Sequence, residues 1–156
     1  MKDGLHLKQA NIKDSEKIHR MQVIGFKALL EKYQDHDTNP GAETLERVRS
    51  RFASDIIDHY FISLQDKDIG YIRIVRMGEG VFRLSQMFIL PEYQNSGYAQ
   101  MAIKQMELLY PDAKKWILDT IKQETKLCHL YEKMGYKLTG TVKNIKQGMD
   151  FVDYAK

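Results

Sequence analysis

The stretch that most constrains this chain is Met87 to Gln100, Met-Phe-Ile-Leu-Pro-Glu-Tyr-Gln-Asn-Ser-Gly-Tyr-Ala-Gln. Its first four residues form an unbroken apolar run, short enough for a buried strand. Pro91 ends that run, because it brings no N–H to a ladder. Past the polar turn, Ala99, Ala102, Ile103 and Met106 fall on one helical face, which predicts a helix starting near Gly97. A strand, a tight turn and a helix N-terminus make an anion site. The first N–H groups of a helix have no acceptor within it, and the helix dipole adds positive potential there. Gly97 lets a ligand approach the backbone, and Ala99 adds little bulk. The backbone N–H groups of Asn95, Ser96, Gly97, Tyr98, Ala99 and Gln100 are the first candidate binding groups.

Other function classes drop away on composition. A length of 156 residues is most simply one domain, and 43% hydrophobic residues suffice for a core. The net charge of +3 is mildly basic and suits an anionic ligand, but no block of five or six Lys/Arg marks a nucleic-acid footprint. Cys128 is the single cysteine, so no intrachain disulfide forms and a reducing compartment fits. Neither a leader nor an apolar span of about 18 residues is present, so a soluble, cytoplasmic chain is expected. His6, His19, His36, His59 and His129 lack metal-ligand spacing, and no metal is expected. Gly78-x-Gly80 lacks the third glycine of a dinucleotide fingerprint. Arg47, Arg49 and Arg51 read as a solvated helical face, and Cys128 as inert packing beside an apolar face.

The remaining segments follow in order. Leu5 and Leu7 alternate with polar residues in a first strand. Asp14 or Ser15 caps a helix that runs to about Tyr33, with Ile18, Met21, Gly25, Ala28 and Leu29 on one side. Asn39-Pro40 opens a second helix, with Leu45, Val48 and Phe52 inward. His59 to Leu64, Ile69 to Val75 and Val81 to Leu90 read as three strands joined by short turns. After the Gly97 helix come a strand at Lys115 to Thr120 and a helix carrying Leu127, Leu130, Tyr131 and Met134, ended by Gly135 as a left-handed cap. Tyr136 to Val142 and Met149 to Tyr154 are the last two strands, separated by Lys143 to Gly148. The order is β-α-α-β-β-β-α-β-α-β-β.

Gln94, Gly97 and Ala99 match Q/R-x-x-G-x-G/A, and the chain resembles the GNAT superfamily of N-acetyltransferases, where that motif follows a strand and often a proline. Lys8-x-Ala10-x-x-x-Asp14-x-x-x-Ile18 is similar to the superfamily's opening, and the element order agrees over nearly the whole chain. The resemblance implies an α/β fold: a mixed, mostly antiparallel sheet of about seven strands with helices on both faces, forming one acyltransferase domain over residues 1–156. It implies transfer of an acetyl group from acetyl-CoA to a primary amine of a small molecule or peptide by direct attack. The alternatives are a non-catalytic acyl-CoA sensor on the same fold and an enzyme using a longer acyl-CoA. The acceptor's identity and the oligomeric state, a homodimer included, stay open.

Carried over residue by residue, the resemblance puts the cofactor along Met87, Phe88, Ile89 and Gln94, with the Ile89 N–H on the thioester oxygen near a splay of the strand, and its pyrophosphate on Asn95 to Gln100. Many members have Arg or Lys beside the motif glycine, where this chain has Asn95 and Ser96; backbone dipoles, helped by Lys104, Lys126 or Lys133, then hold the phosphates. Where many members have an Asn on the pantetheine arm, this chain has Glu124, which leaves Gln123 or backbone groups for that contact. Leu130-Tyr131-x-x-x-Gly135-Tyr136 is similar to the segment whose tyrosine reaches the cofactor sulfur. Spacing alone makes Tyr131 a core residue; the resemblance makes it the proton donor to the leaving thiolate. In this fold the connection after the first helix lines the acceptor side, so Tyr33, Asp35, His36 and Asn39, together with Asp37, are candidate acceptor residues, or else part of a solvated loop. No glutamate stands between Val81 and Leu90, so proton removal is expected through water, with Glu79, His36 or His59 as relays and Ser85 and Gln86 as lining.

Overall fold

In the computed structural model, which describes residues 4–156, the sheet follows the expected chain order. Strand β1 (Leu5–Gln9) leads to helix α1 (Ser15–Tyr33), then a short α2 (Leu45–Ser50), then the strands β2 (Ile57–Leu64), β3 (Lys67–Gly78) and β4 (Val81–Ile89). Helix α3 (Tyr98–Leu109), strand β5 (Lys115–Ile121), helix α4 (Thr125–Lys133) and strands β6 (Lys137–Lys146) and β7 (Met149–Ala155) complete it. The seven strands lie side by side in the order β1-β2-β3-β4-β5-β7-β6. Every neighbour is antiparallel except β4 and β5.

Both sheet faces are covered, which is why β3 buries both sets of its alternating side chains. Ile72 and Ile74 join Ile103 and Met106 of α3 and Tyr131 and Met134 of α4 in one apolar cluster. Tyr71 and Phe88 join Ile18 and Met21 of α1 and Val48 of α2 in the other. Gly25 is what lets α1 lie this close: a Cβ there would come within 2.5 Å of the Phe88 ring.

Several local expectations need correction. The first helix is not capped by Asp14 or Ser15. Asn11 caps the preceding 3-10 turn: its side chain takes the Lys13 N–H, and the Asp14 carboxylate takes the Asn11 N–H. Ala28 is exposed, and Gln22 and Phe26 turn inward from the same helix. The second helix is only six residues long; Phe52 lies beyond it and stacks on His59 at 3.8 Å. Arg51 is not solvated, because it forms a two-pronged ion pair with Glu43. The hairpin of β6 and β7 turns only at Gln147-Gly148, so Lys143 to Lys146 are strand. Among the described residues no helix is long and apolar enough to cross a membrane.

Candidate functional site

Among the described residues, the only parallel pair in the sheet is also the shortest, and it opens the site. Strand β5 pairs with β4 only at Val81, Phe82 and Arg83. From Leu84 onward β4 keeps β3 on one side and loses β5 on the other. A bulge at Ser85 marks the change, since Arg73 faces Gln86 while Ile74 faces Leu84. An ion pair between Arg83 and Asp119, at 2.9 Å, spans the apex of the gap. The Leu90 N–H donates to the Ile69 carbonyl. In an antiparallel ladder the polar backbone groups alternate sides, so those of Ile89 and Met87 face the gap, and those of Phe88 go to β3. The Phe88 ring turns to α1. Of the three strand residues carried over for the cofactor, two offer backbone groups to the gap.

The chain leaves this edge through Pro91–Tyr93 and enters α3 at Gly97, whose φ of 82° is left-handed. Asn95 is left-handed too, at φ 62°. The helix begins with no side-chain cap, and the turn residues Asn95, Ser96 and Gly97 before it are exposed. Gln94 does not reach outward with its amide: Nε2 donates to the Ile89 carbonyl at 2.8 Å.

A cavity of about 190 Å³ passes through the gap. Its walls are Leu84 to Met87 of β4, Asp119 to Ile121 of β5, Leu127 and Tyr131 of α4, Phe26 and Leu29 of α1, and the connection at Asp35 and Thr38 to Pro40. The structure thus brings Tyr131, Met87, Asp35 and Asn39 together. Burial, with a smaller contribution from the nearby Asp119 charge, pushes the Tyr131 phenol well above its usual range, so it stays protonated at any physiological pH.

Other expected residues stand apart. Tyr33 gives its hydroxyl to Glu124 at 2.5 Å, and Lys32 pairs with the same carboxylate at 2.6 Å. Although burial pushes Glu124 up, these two bonds outweigh it and hold the carboxyl below its usual value. Position 124 therefore fastens α4 to the end of α1. His36 lines a second, open cavity of about 460 Å³ between the α1 connection and Lys143 to Lys146. Glu79 lies at the opposite end of β4, in the tight turn from β3. His59 is buried against Phe52, with Nδ1 2.5 Å from the Tyr71 hydroxyl; burial, reinforced by the Arg73 charge, lowers its pKa to about 4. Neither reaches the cavity as a relay.

The sequence reading did not single out the polar layer beneath α1. The Glu43 carboxylate receives Arg51 and the Gln22 amide N–H, and Gln22 also donates to the Pro40 carbonyl. Gln22 in turn accepts Gln86 Nε2 at 3.0 Å. Gln22 has no solvent exposure. A glutamine on the inward face of an apolar helix was the one available signal.

Residues 57–138 match the family model described as the acetyltransferase (GNAT) domain. Solved structures agree in fold. The RimL ribosomal L7/L12 alpha-N-protein acetyltransferase in complex with coenzyme A superposes with a TM-score of 0.76 at 14% identity, over 99% of this chain and 94% of that one. A spermidine N-acetyltransferase SpeG chimera from Vibrio cholerae gives 0.76 at 17% identity, over 98% and 95%. The aminoglycoside acetyltransferase AAC(6')-Ib, also with coenzyme A, gives 0.74 at 16% identity, over 97% and 94%. No curated protein matches the sequence.

Proposed function

The chain belongs to the GNAT acetyltransferase family, and we propose that it is an N-acetyltransferase that moves an acetyl group from acetyl-CoA to a primary amine of a small molecule or peptide, as a single catalytic unit over residues 1–156. The observation that carries this reading is the gap between β4 and β5, with a helix N-terminus that has no side-chain cap at its outer end and Tyr131 in its wall. The residues fit the donor. The first turn of α3 and the Asn95–Gly97 turn suit a pyrophosphate. The gap-facing backbone of Met87 suits an amide of an extended arm, which leaves the Ile89 N–H for the thioester.

Acetyl-CoA, when bound, supplies the thioester carbon that the amine attacks. The Ile89 N–H donates to the oxygen that gains charge as the amine adds. Burial holds Tyr131 as the neutral phenol, whose hydroxyl donates to the departing sulfur, and the proton that passes to the thiolate is restored to the phenol by the one the amine loses through water. No carboxylate stands on β4 to take the amine's proton, and ordered water carries it. Released thiol measured over a panel of amines with acetyl-CoA tests the reading. No thiol from any amine, with tight acetyl-CoA binding, would instead mark a binding protein.

A further inference from the structure

We propose that the inner cavity selects cationic alkylamines, that Asp35 is the counter-ion of their ammonium group, and that they arrive through the open cavity beside Lys143 to Lys146. This rests on the N-acetyltransferase reading above and narrows its acceptor.

Asp35 is 5% exposed, and among the described residues it has no ion pair. Both carboxylate oxygens are held by Thr38, through its N–H at 3.2 Å and through its hydroxyl. Hydrogen bonds of this kind fix a carboxylate without neutralising it, and a buried charge without a counter-charge is costly. Asp35 and Thr38 line both cavities, so both stand at the boundary between the open one and the inner one.

The inner cavity's chemistry is one-sided. Asp35 lines it without an ion pair, Asp119 lines it while paired to Arg83, and no Lys, Arg or His does. Much of the rest is apolar: Phe26, Leu29, Met87, Leu127, Met149 and Phe151 among them.

A second group points the same way independently. Gln86 lines the inner cavity, is 6% exposed, and its Oε1 is buried with no donor. Its orientation is forced. The Glu43 carboxylate and the Pro40 carbonyl can only accept, so Gln22 must turn its NH₂ to them and its oxygen to Gln86. Gln86 must then spend its NH₂ on Gln22 and keep its oxygen for another donor. The unpaired Asp35 carboxylate and the Gln86 oxygen that lacks a donor, at a largely apolar space, complement an ammonium on an alkyl body. They repel a molecule that brings its own carboxylate.

The test uses the full chain saturated with coenzyme A, which holds the donor site without allowing transfer. Calorimetry compares n-alkylamines from propyl to octyl with the alkyl carboxylates and ω-amino acids of equal length. The expected result is binding of at least one alkylamine, at least tenfold tighter than its two counterparts, and loss of tenfold or more in Asp35→Asn. Gln86→Leu should weaken the same amine by a smaller factor, and coenzyme A affinity should hold in both folded variants. If Asp35→Asn does not fold, the wild-type charge preference together with Gln86→Leu decides. Equal binding of amine and ω-amino acid, no alkylamine binding to the coenzyme A complex, or unchanged amine affinity in Asp35→Asn would each overturn the proposal and leave the donor site intact. Failure to bind coenzyme A at all would overturn the acetyltransferase reading as well.

Discussion

Two stretches along the β4 edge show two ways of building a binding surface. Past Ile89 the surface is backbone: a turn, two left-handed residues and the start of a helix, mostly exposed, with side chains of modest character. Around Gln86 it is side chain: Gln22, Glu43, Arg51, Asp35 and Asn39, drawn from separate segments and largely buried under α1. A backbone site offers any anionic group a set of dipoles, and it tolerates side-chain change as long as φ and ψ survive. A side-chain site holds a particular arrangement of donors and acceptors, and one amide turned the wrong way undoes it.

That contrast is open to attack, beginning with the largest expected effect. Gly97→Glu should abolish coenzyme A binding by calorimetry, because it puts bulk, charge and a left-handed strain of about 1–2 kcal/mol where phosphate must sit. Gly97→Ala, with the strain alone, should cost about tenfold. Unchanged affinity in a folded Gly97→Glu protein would end the backbone account.

Acid should attack the side-chain region. His59 has a folded pKa of about 4 against an ordinary value near 6.5, so between those values the unfolded chain holds the extra proton. Stability is then full above about pH 6.5 and falls as the pH drops toward 4, by roughly 3 kcal/mol in all. Urea titrations at intervals across that range check the slope, and His59→Gln should flatten it.

Tyr131→Phe keeps the ring and removes the hydroxyl, so kcat should fall about 10²-fold with coenzyme A affinity unchanged. Near wild-type kcat would return Tyr131 to packing alone. Gln22→Leu touches neither reacting group. It frees the Gln86 amide to turn, and it should raise the acceptor KM about tenfold while the acetyl-CoA KM holds. A matching loss in both KM values would mean that the polar layer is scaffold only. The smallest effect belongs to Glu124→Ala, which releases Lys32 and Tyr33 at a partly exposed site. It should cost under about 1 kcal/mol in urea titration.

The same contrast explains what could be read from the residues in order. The Gly97 helix start, the Pro91 stop and the element order follow from local periodicity and turn chemistry, and the structure repeats them. So does the alternation of β3, because a strand buried on both faces carries apolar residues at both parities. The Asn11 cap was missed because Asp14 and Ser15 also have capping side chains, and only the backbone angles decide among them. The acceptor side was legible in part. Asp35 and Asn39 sit in a polar connection that any reading would examine, but Tyr33 in the same segment is claimed by Glu124, ninety-one positions away. Gln22, Gln86 and Glu43 carry no local pattern. They matter because α1 crosses β4 at Gly25 and Phe88, a contact between residues sixty-three positions apart. The gap itself is a missing strand pairing, which no hydropathy pattern encodes.

Gln94 gives the molecule a gauge. Its Nε2 is bonded to the Ile89 carbonyl at 2.8 Å, so the turn before α3 is riveted to the edge of the strand it has just left. The span from the helix start to the Ile89 N–H is therefore a property of the protein, fixed before any donor arrives. In the proposed donor site, a thioester on an arm of matching length would seat at both marks together. One carried on a clipped arm would seat at the helix or at the strand, and forfeit the alignment on which rate depends.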